Sequence, residues 1–225
     1  MIRSDLRQIV TVVLVIVGAL LPLVNPLGDT PLFLAMTAGS DEGVRAVLAR
    51  RIAVYSFALL LGSMLVGGFV LRIFGLSVPI VQVAGGAVVC ALGWQVLAYT
   101  PKPPTVTVDP GHAQQVALGR AFYPLTMPLT VDAGGISVAI TVGTHPAHGL
   151  ASTVVQFAGA VIGAGLVAWS IFLTYRYAHR IGTRIGPTGM TVLLQLSAFI
   201  TLCIGVAISW AGIRSLLGEF GIGGS

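Results

Sequence analysis

The chain has 225 residues, of which 56% are hydrophobic and only 8% charged, and its mean hydropathy is +0.96. An ordinary soluble domain carries roughly 25% charged residues, so this composition excludes a water-solvated fold and points to an all-α bundle of membrane helices. The formal charge of +5 does not signal nucleic acid, because the basic residues stand singly at segment ends and form no patch interleaved with aromatics.

Six apolar segments are predicted, several approaching the ~20 residues that cross a hydrocarbon core. Residues 1–8, with Arg3 and Arg7, imitate a secretory signal, but no small-residue cleavage site follows and the run is read as part of the mature chain. Segment 1 covers about 9–38 and is broken by Pro22, Pro26, Gly28 and Pro31, which remove backbone donors or relax helical geometry. Segments 2 and 3 cover about 52–74 and 78–99. A polar linker rich in Pro and Thr follows, with the turn signal Asp109-Pro110-Gly111. Segment 4, about 121–143, is broken by Pro124, Pro128, Gly134 and Gly135; segments 5 and 6 cover about 152–175 and 190–217. Ser63 and Gly67 in segment 2, and Gly159 and Gly163 in segment 5, have the small-xxx-small spacing that lets helices pack closely in lipid.

An internal repeat is visible. Pro22-Leu23-Val24-Asn25-Pro26-Leu27 returns as Pro124-Leu125-Thr126-Met127-Pro128-Leu129 at an offset of 102, and Gln82 and Cys90 return as Gln195 and Cys203 at an offset of 113. The expected organisation is therefore a first three-helix repeat over 1–100, a linker over 101–120 and a second repeat over 121–225. Three crossings per half force the second half to enter from the opposite side, so the repeat is inverted. Discontinuous helices at matching positions of inverted repeats point to a substrate site near the midplane.

Arginine and lysine set the orientation. The connections after segments 1, 3 and 5 hold Arg45, Arg50, Arg51, Lys102, Arg120, Arg176, Arg180 and Arg184, against Arg3, Arg7, Arg72 and Arg214 on the other side. The expected topology is multi-pass in the inner (plasma) membrane with both termini extracytoplasmic.

The chemistry concentrates at the two breaks. Asp29 lies three residues after Pro26 and Asp132 four after Pro128, and no Lys or Arg lies in the central part of any segment to neutralise them. Ionisable groups at membrane depth default to function, so both are candidate proton-coupling residues. The competing role is that each caps a half-helix. A half-helix N-terminus also offers amides and positive dipole to an anion, so a zwitterion is expected, its carboxylate on the amides and its ammonium on Asp29 or Asp132. The candidate substrate-binding set is Asn25, Pro26, Gly28, Asp29, Thr30, Pro128, Thr130, Asp132, Gly134, Gly135 and Ser137. Hydroxyls such as Thr30, Thr126, Thr130 and Ser137 otherwise bond their own backbone. Gln82, Gln95, Gln156 and Gln195 are expected to bond between helices, and Trp94 fits a gate or an interfacial belt equally well. Cys90 and Cys203 form no disulfide framework, and His112, His145, His148 and His179 lack zinc spacing, so neither cofactor nor metal is expected.

Asn25-Pro26-Leu27-Gly28-x-x-Pro31-Leu32-Phe33, followed by Ala35-Met36-Thr37, resembles the first signature of MarC family membrane proteins; Pro124 to Leu129 with Gly134 and Ile136-Ser137 resembles the second, and Gly85-Gly86 is similar too. The resemblance implies six inner-membrane segments grouped with lysine-exporter-like transporters, some relatives being small neutral amino acid transporters. Gln82 and Gln195 stand where such relatives usually carry Arg, and Asp132-Ala133 where Gly-Pro is usual, a departure that implies altered ion or substrate chemistry. The expected function is a secondary transporter of a small solute, not an enzyme. An intramembrane aspartyl protease using Asp29 and Asp132, and a channel or structural membrane subunit, are the alternatives. Lipid and a small solute are the expected partners, and self-association is left open.

Overall fold

The structure, a computed structural model, describes residues 2–98, 118–144 and 150–219; these form helices joined by turns, without a strand. In chain order the helices are α1 (Ile2–Val24), α2 (Thr30–Met36), α3 (Glu42–Ile73) and α4 (Val78–Ala98), then a π-helical turn (Leu125–Thr130), α5 (Ala133–Gly143), α6 (Leu150–Arg176) and α7 (Ala178–Glu219). Helices α1, α3, α4, α6 and α7 are each long and apolar enough to cross a membrane, whereas α5 is a shorter apolar helix of 11 residues. The linker with Lys102, Asp109 and His112, together with His145, His148 and Ser225, lies outside the described residues.

Both breaks fall where the prolines predict. α1 stops at Val24 and α2 starts at Thr30; Asn25 between them takes a positive φ of 34°. Segment 4 is broken as expected, but only its second arm is an α-helix. Its first arm is a set of turns closing in the π-helical turn, Met127 is extended, and α5 begins only at Ala133. Pro124 and Pro128 lack the amides that an α-helical ladder over these residues needs.

Segment ends also shift. α3 starts at Glu42 rather than near 52, because the Asp41 side chain accepts from the Val44 amide at 2.8 Å and caps the helix. Arg45, Arg50 and Arg51 therefore ride on a helix, not a loop. α7 starts at Ala178 and bends at Gly186 (φ 76°), before Pro187, so His179, Arg180 and Arg184 are helical as well.

Close contacts fix the relative directions of the helices. Val12 lies where a side chain on Gly159 would be and Ile16 against Gly163, so α1 and α6 run the same way. Arg51 reaches the Leu118 carbonyl, Tyr55 meets Phe122 edge-on at 5.7 Å, and Gly67 takes Ile140 against its backbone, so segment 4 runs with α3. Gly134 abuts Val89 and Ser137 donates to the Val81 carbonyl at 3.1 Å, which sets α5 against α4. Gly86 meets Ser209, Gly93 meets Ala198 and Leu202, and Gly212 meets Pro79, so α4 and α7 are antiparallel. Gly28 against Ser197 and Gly182 against Leu34 place segment 1 antiparallel to α7. Segment 1, α4 and α6 thus point one way, and α3, segment 4 and α7 the other.

The expected small-residue packing is present: Gly159, Gly163 and Gly67 are buried and each receives a branched side chain. Ile16, Leu20, Phe33, Leu48, Ile52, Leu60, Ile171 and Tyr175 form the buried core. Leu14, Phe69, Val88, Trp169 and Phe199 are exposed around the outside, a distribution that suits lipid and would be a liability in water. Trp94 belongs to this outward set.

Candidate functional site

The two breaks open into one pocket of about 290 Å³. Leu23, Gly28, Asp29 and Leu32 line it from the first break, Pro128, Leu129 and Asp132 from the second, and α4 and α7 close it with Gln95 and Val96 and with Leu194, Ser197, Ala198 and Thr201. The wall is mainly apolar with a few convergent polar groups, which is the usual make-up of a small-molecule site.

The two carboxylates are not equivalent. Asp132 is extended (φ −95°, ψ 179°), and its Oδ1 accepts from the Gly135 amide at 2.7 Å, so it is the N-cap of α5. Asp29 occupies the corresponding position before α2 in a helical conformation (φ −83°, ψ −8°) and makes no side-chain cap bond. Its carboxylate lines the pocket together with that of Asp132. Asn25 instead closes the turn ahead of α2, its Oδ1 accepting from the Gly28 amide at 3.2 Å.

Of the other candidates, Gly28 and Pro128 line the pocket, and Gly28 is needed for packing as well, because a Cβ there would meet Ser197 and Asn25. Pro26 and Thr30 serve each other: the Thr30 hydroxyl donates to the Pro26 carbonyl at 2.9 Å. Thr130 bonds the Leu125 carbonyl at 2.7 Å and the Tyr175 hydroxyl at 3.0 Å, and Thr126 bonds the Ala121 carbonyl at 2.7 Å. Ser137 and Gly134 face α4. These hydroxyls hold the broken backbone together in the way short hydroxyl side chains commonly do.

The amides do not form the open anion cradle expected from the sequence. The Gly135 amide is taken by Asp132; at α2, Pro31 contributes no N–H, and the amides of Thr30 and Phe33 are bonded to the Leu27 and Asp29 carbonyls. Gln82 donates to the Thr141 hydroxyl at 3.2 Å, as an interhelical bond should, whereas Gln195 is exposed and Gln95 lines the pocket. Ser197 and Thr201 went unrecognised in the sequence. They sit four apart on one face of α7 with Leu194 and Ala198, a spacing legible only once the facing break is known. Tyr175 stacks on Phe33 with ring centroids 4.4 Å apart and joins α6 to both breaks. Among the described residues no group of His, Cys, Asp and Glu is placed to hold a metal ion.

The profile of the MarC family integral membrane proteins matches residues 10–217. The chain is 27% identical over 206 residues to the UPF0056 inner membrane protein MarC of Salmonella paratyphi A, covering 88% of this chain and 92% of that protein. It is 28% identical over 208 residues, with the same coverage, to the protein of that name in Citrobacter koseri. With the UPF0056 membrane protein YvbG of Bacillus subtilis it shares 25% identity over 194 residues, covering 85% and 89%. No solved structure matches. With a profile match across almost its full length, two broken helices at the expected prolines and a membrane-type surface, the chain belongs to the MarC family of integral membrane proteins.

Proposed function

We propose that the protein is a secondary transporter of a small solute, with the pocket between the breaks as the solute site. The observation that carries this reading is the convergence of the two breaks, each with its carboxylate, on one pocket of about 290 Å³. The alternating helix directions support two inverted repeats, since segment 1 packs along α6 as segment 4 packs along α3, and α2 meets α7 as α5 meets α4. Repeats of this kind rock against each other around a fixed site.

The solute class is a small neutral amino acid or similar zwitterion. Asp29 receives the ammonium, and Gln95, Ser197 and Thr201 supply donors to the opposite pole. Asp29 is also the proton-coupling residue, while Asp132, occupied as a cap, holds the second break. That occupation counts against a catalytic aspartyl pair, in which both carboxyls must be available to the substrate. The same reading has both termini outside, and it is supported by Arg45, Arg50, Arg51, Arg176, Arg180 and Arg184 gathering at one end of the bundle, the expected cytoplasmic end in an inner membrane.

Purified protein in proteoliposomes, preloaded with unlabelled neutral amino acids, tests the reading. A carrier gives saturable counterflow of labelled solute, and Asp29→Asn removes its dependence on an imposed proton gradient. Non-saturable flux without counterflow marks a channel, and no flux with any small zwitterion refutes the solute class.

A further inference from the structure

Away from the solute pocket, three helix ends converge on a second pocket, also of about 290 Å³. The first turn of α3 brings Glu42 and Arg45, the end of α6 brings Tyr175 and Arg176, and the start of α7 brings His179 and Arg180. Three guanidiniums face one carboxylate. Asp41, the next acid in the chain, is occupied in capping α3 through the Val44 amide. Arg45 Nε is buried and has no hydrogen-bond partner, an expensive state for a charged donor unless a ligand completes it. Arg180 is held over the Tyr177 ring at 5.5 Å, which limits the freedom it would lose on binding.

Like charges gathered around a low-dielectric recess attract counter-ions strongly. The planar fork of arginine matches phosphate oxygens two at a time, which a general acidic ligand exploits less well. The pocket also lies where three helices long and apolar enough to cross a membrane begin or end, and basic recesses between such helices hold anionic headgroups. We propose that Arg45, Arg176 and Arg180 form a binding site for a phosphate group, supplied by the phosphodiester of an anionic phospholipid or by soluble phosphate. Glu42, an exposed residue of the same lining, disfavours highly charged anions and selects for a group of low charge. The two pockets share no lining residue, so the site is separate from the solute pocket and its test does not depend on transport.

The test uses the full chain in nanodiscs and follows its thermal unfolding midpoint in phosphate-free buffer. One arm compares phosphatidylcholine alone with phosphatidylcholine plus phosphatidylglycerol; the other titrates inorganic phosphate into discs of phosphatidylcholine alone. A midpoint raised only in the first arm identifies the lipid as the source, and one raised in the second identifies soluble phosphate. Arg45→Gln with Arg180→Gln should lower the apparent affinity read from the midpoint shift about tenfold for each guanidinium lost. Arg50→Gln with Arg184→Gln, an equal charge loss at the same end but outside the pocket, should keep it. If the first pair does not fold, Arg176→Gln alone, at an exposed position, carries the same expectation. No shift in either arm, or an equal loss in the control pair, overturns the proposal.

Discussion

The difference between the two carboxylates predicts that removing Asp132 costs stability and removing Asp29 does not. Asp132→Ala takes away the acceptor that lies 2.7 Å from the Gly135 amide, and Gly135 is buried, so water does not readily replace it. Loss of an N-cap costs about 1 kcal/mol, rising to about 2 kcal/mol where the freed amide is buried. Asp132→Asn keeps the acceptor and forfeits only charge–dipole attraction, about 0.3–1 kcal/mol. Asp29→Ala removes no cap bond and takes a polar group out of a mainly apolar pocket wall, so its effect should be near zero or slightly stabilising. In a chain of this length 1 kcal/mol moves the thermal midpoint by about 2–4 °C, which is measurable on purified protein in detergent. The expected order of midpoints is Asp29→Ala at or above wild type, Asp132→Asn slightly below, and Asp132→Ala lowest. Equal losses for both alanine variants, or Asn as damaging as Ala at 132, would refute the assignment of cap and free carboxylate.

Three further outcomes follow from packing and topology. Gly86→Val places carbon against Ser209 and the Gly205 carbonyl, and overpacking of this kind costs about 1–3 kcal/mol, seen as a lowered midpoint in detergent. Tyr175→Phe keeps the stack on Phe33 and loses the bond to Thr130, for about 1 kcal/mol by the same measurement. A reporter active only in the cytoplasm, fused at Ser225, should be silent if the carboxyl terminus is outside; strong activity would reverse the topology.

The breaks were legible because proline removes a donor wherever it stands, and the repeated Pro-Leu-x-x-Pro-Leu marks both. The first arm of segment 4 was not, since whether two prolines kink a helix or replace it with turns depends on what the freed carbonyls find around them. The basic stretch from Arg45 to Arg51 reads as a loop by composition, yet one cap at Asp41 is enough to extend α3 through it. Asp29 and Asp132 look alike because both precede a new helical turn. Only backbone conformation separates them: an extended residue aims its side chain at the third amide of the helix, and a helical one does not. Ser197 and Thr201 were hidden for a different reason, since a hydroxyl on a membrane helix ordinarily bonds its own backbone.

The most direct test of the account is the accessibility of the pocket from each side of the membrane. Thr201 lines it from α7 and is half-buried, so Thr201→Cys in a background with Cys90 and Cys203 replaced by alanine reports on that space alone. In oriented vesicles, a membrane-impermeant thiol reagent should label Cys at 201 from either side, and solute or a proton gradient should raise labelling from one side while lowering it from the other. Labelling from a single side that neither solute nor gradient alters would contradict alternating access, as would a solute or gradient that raises the labelling rate from both sides together.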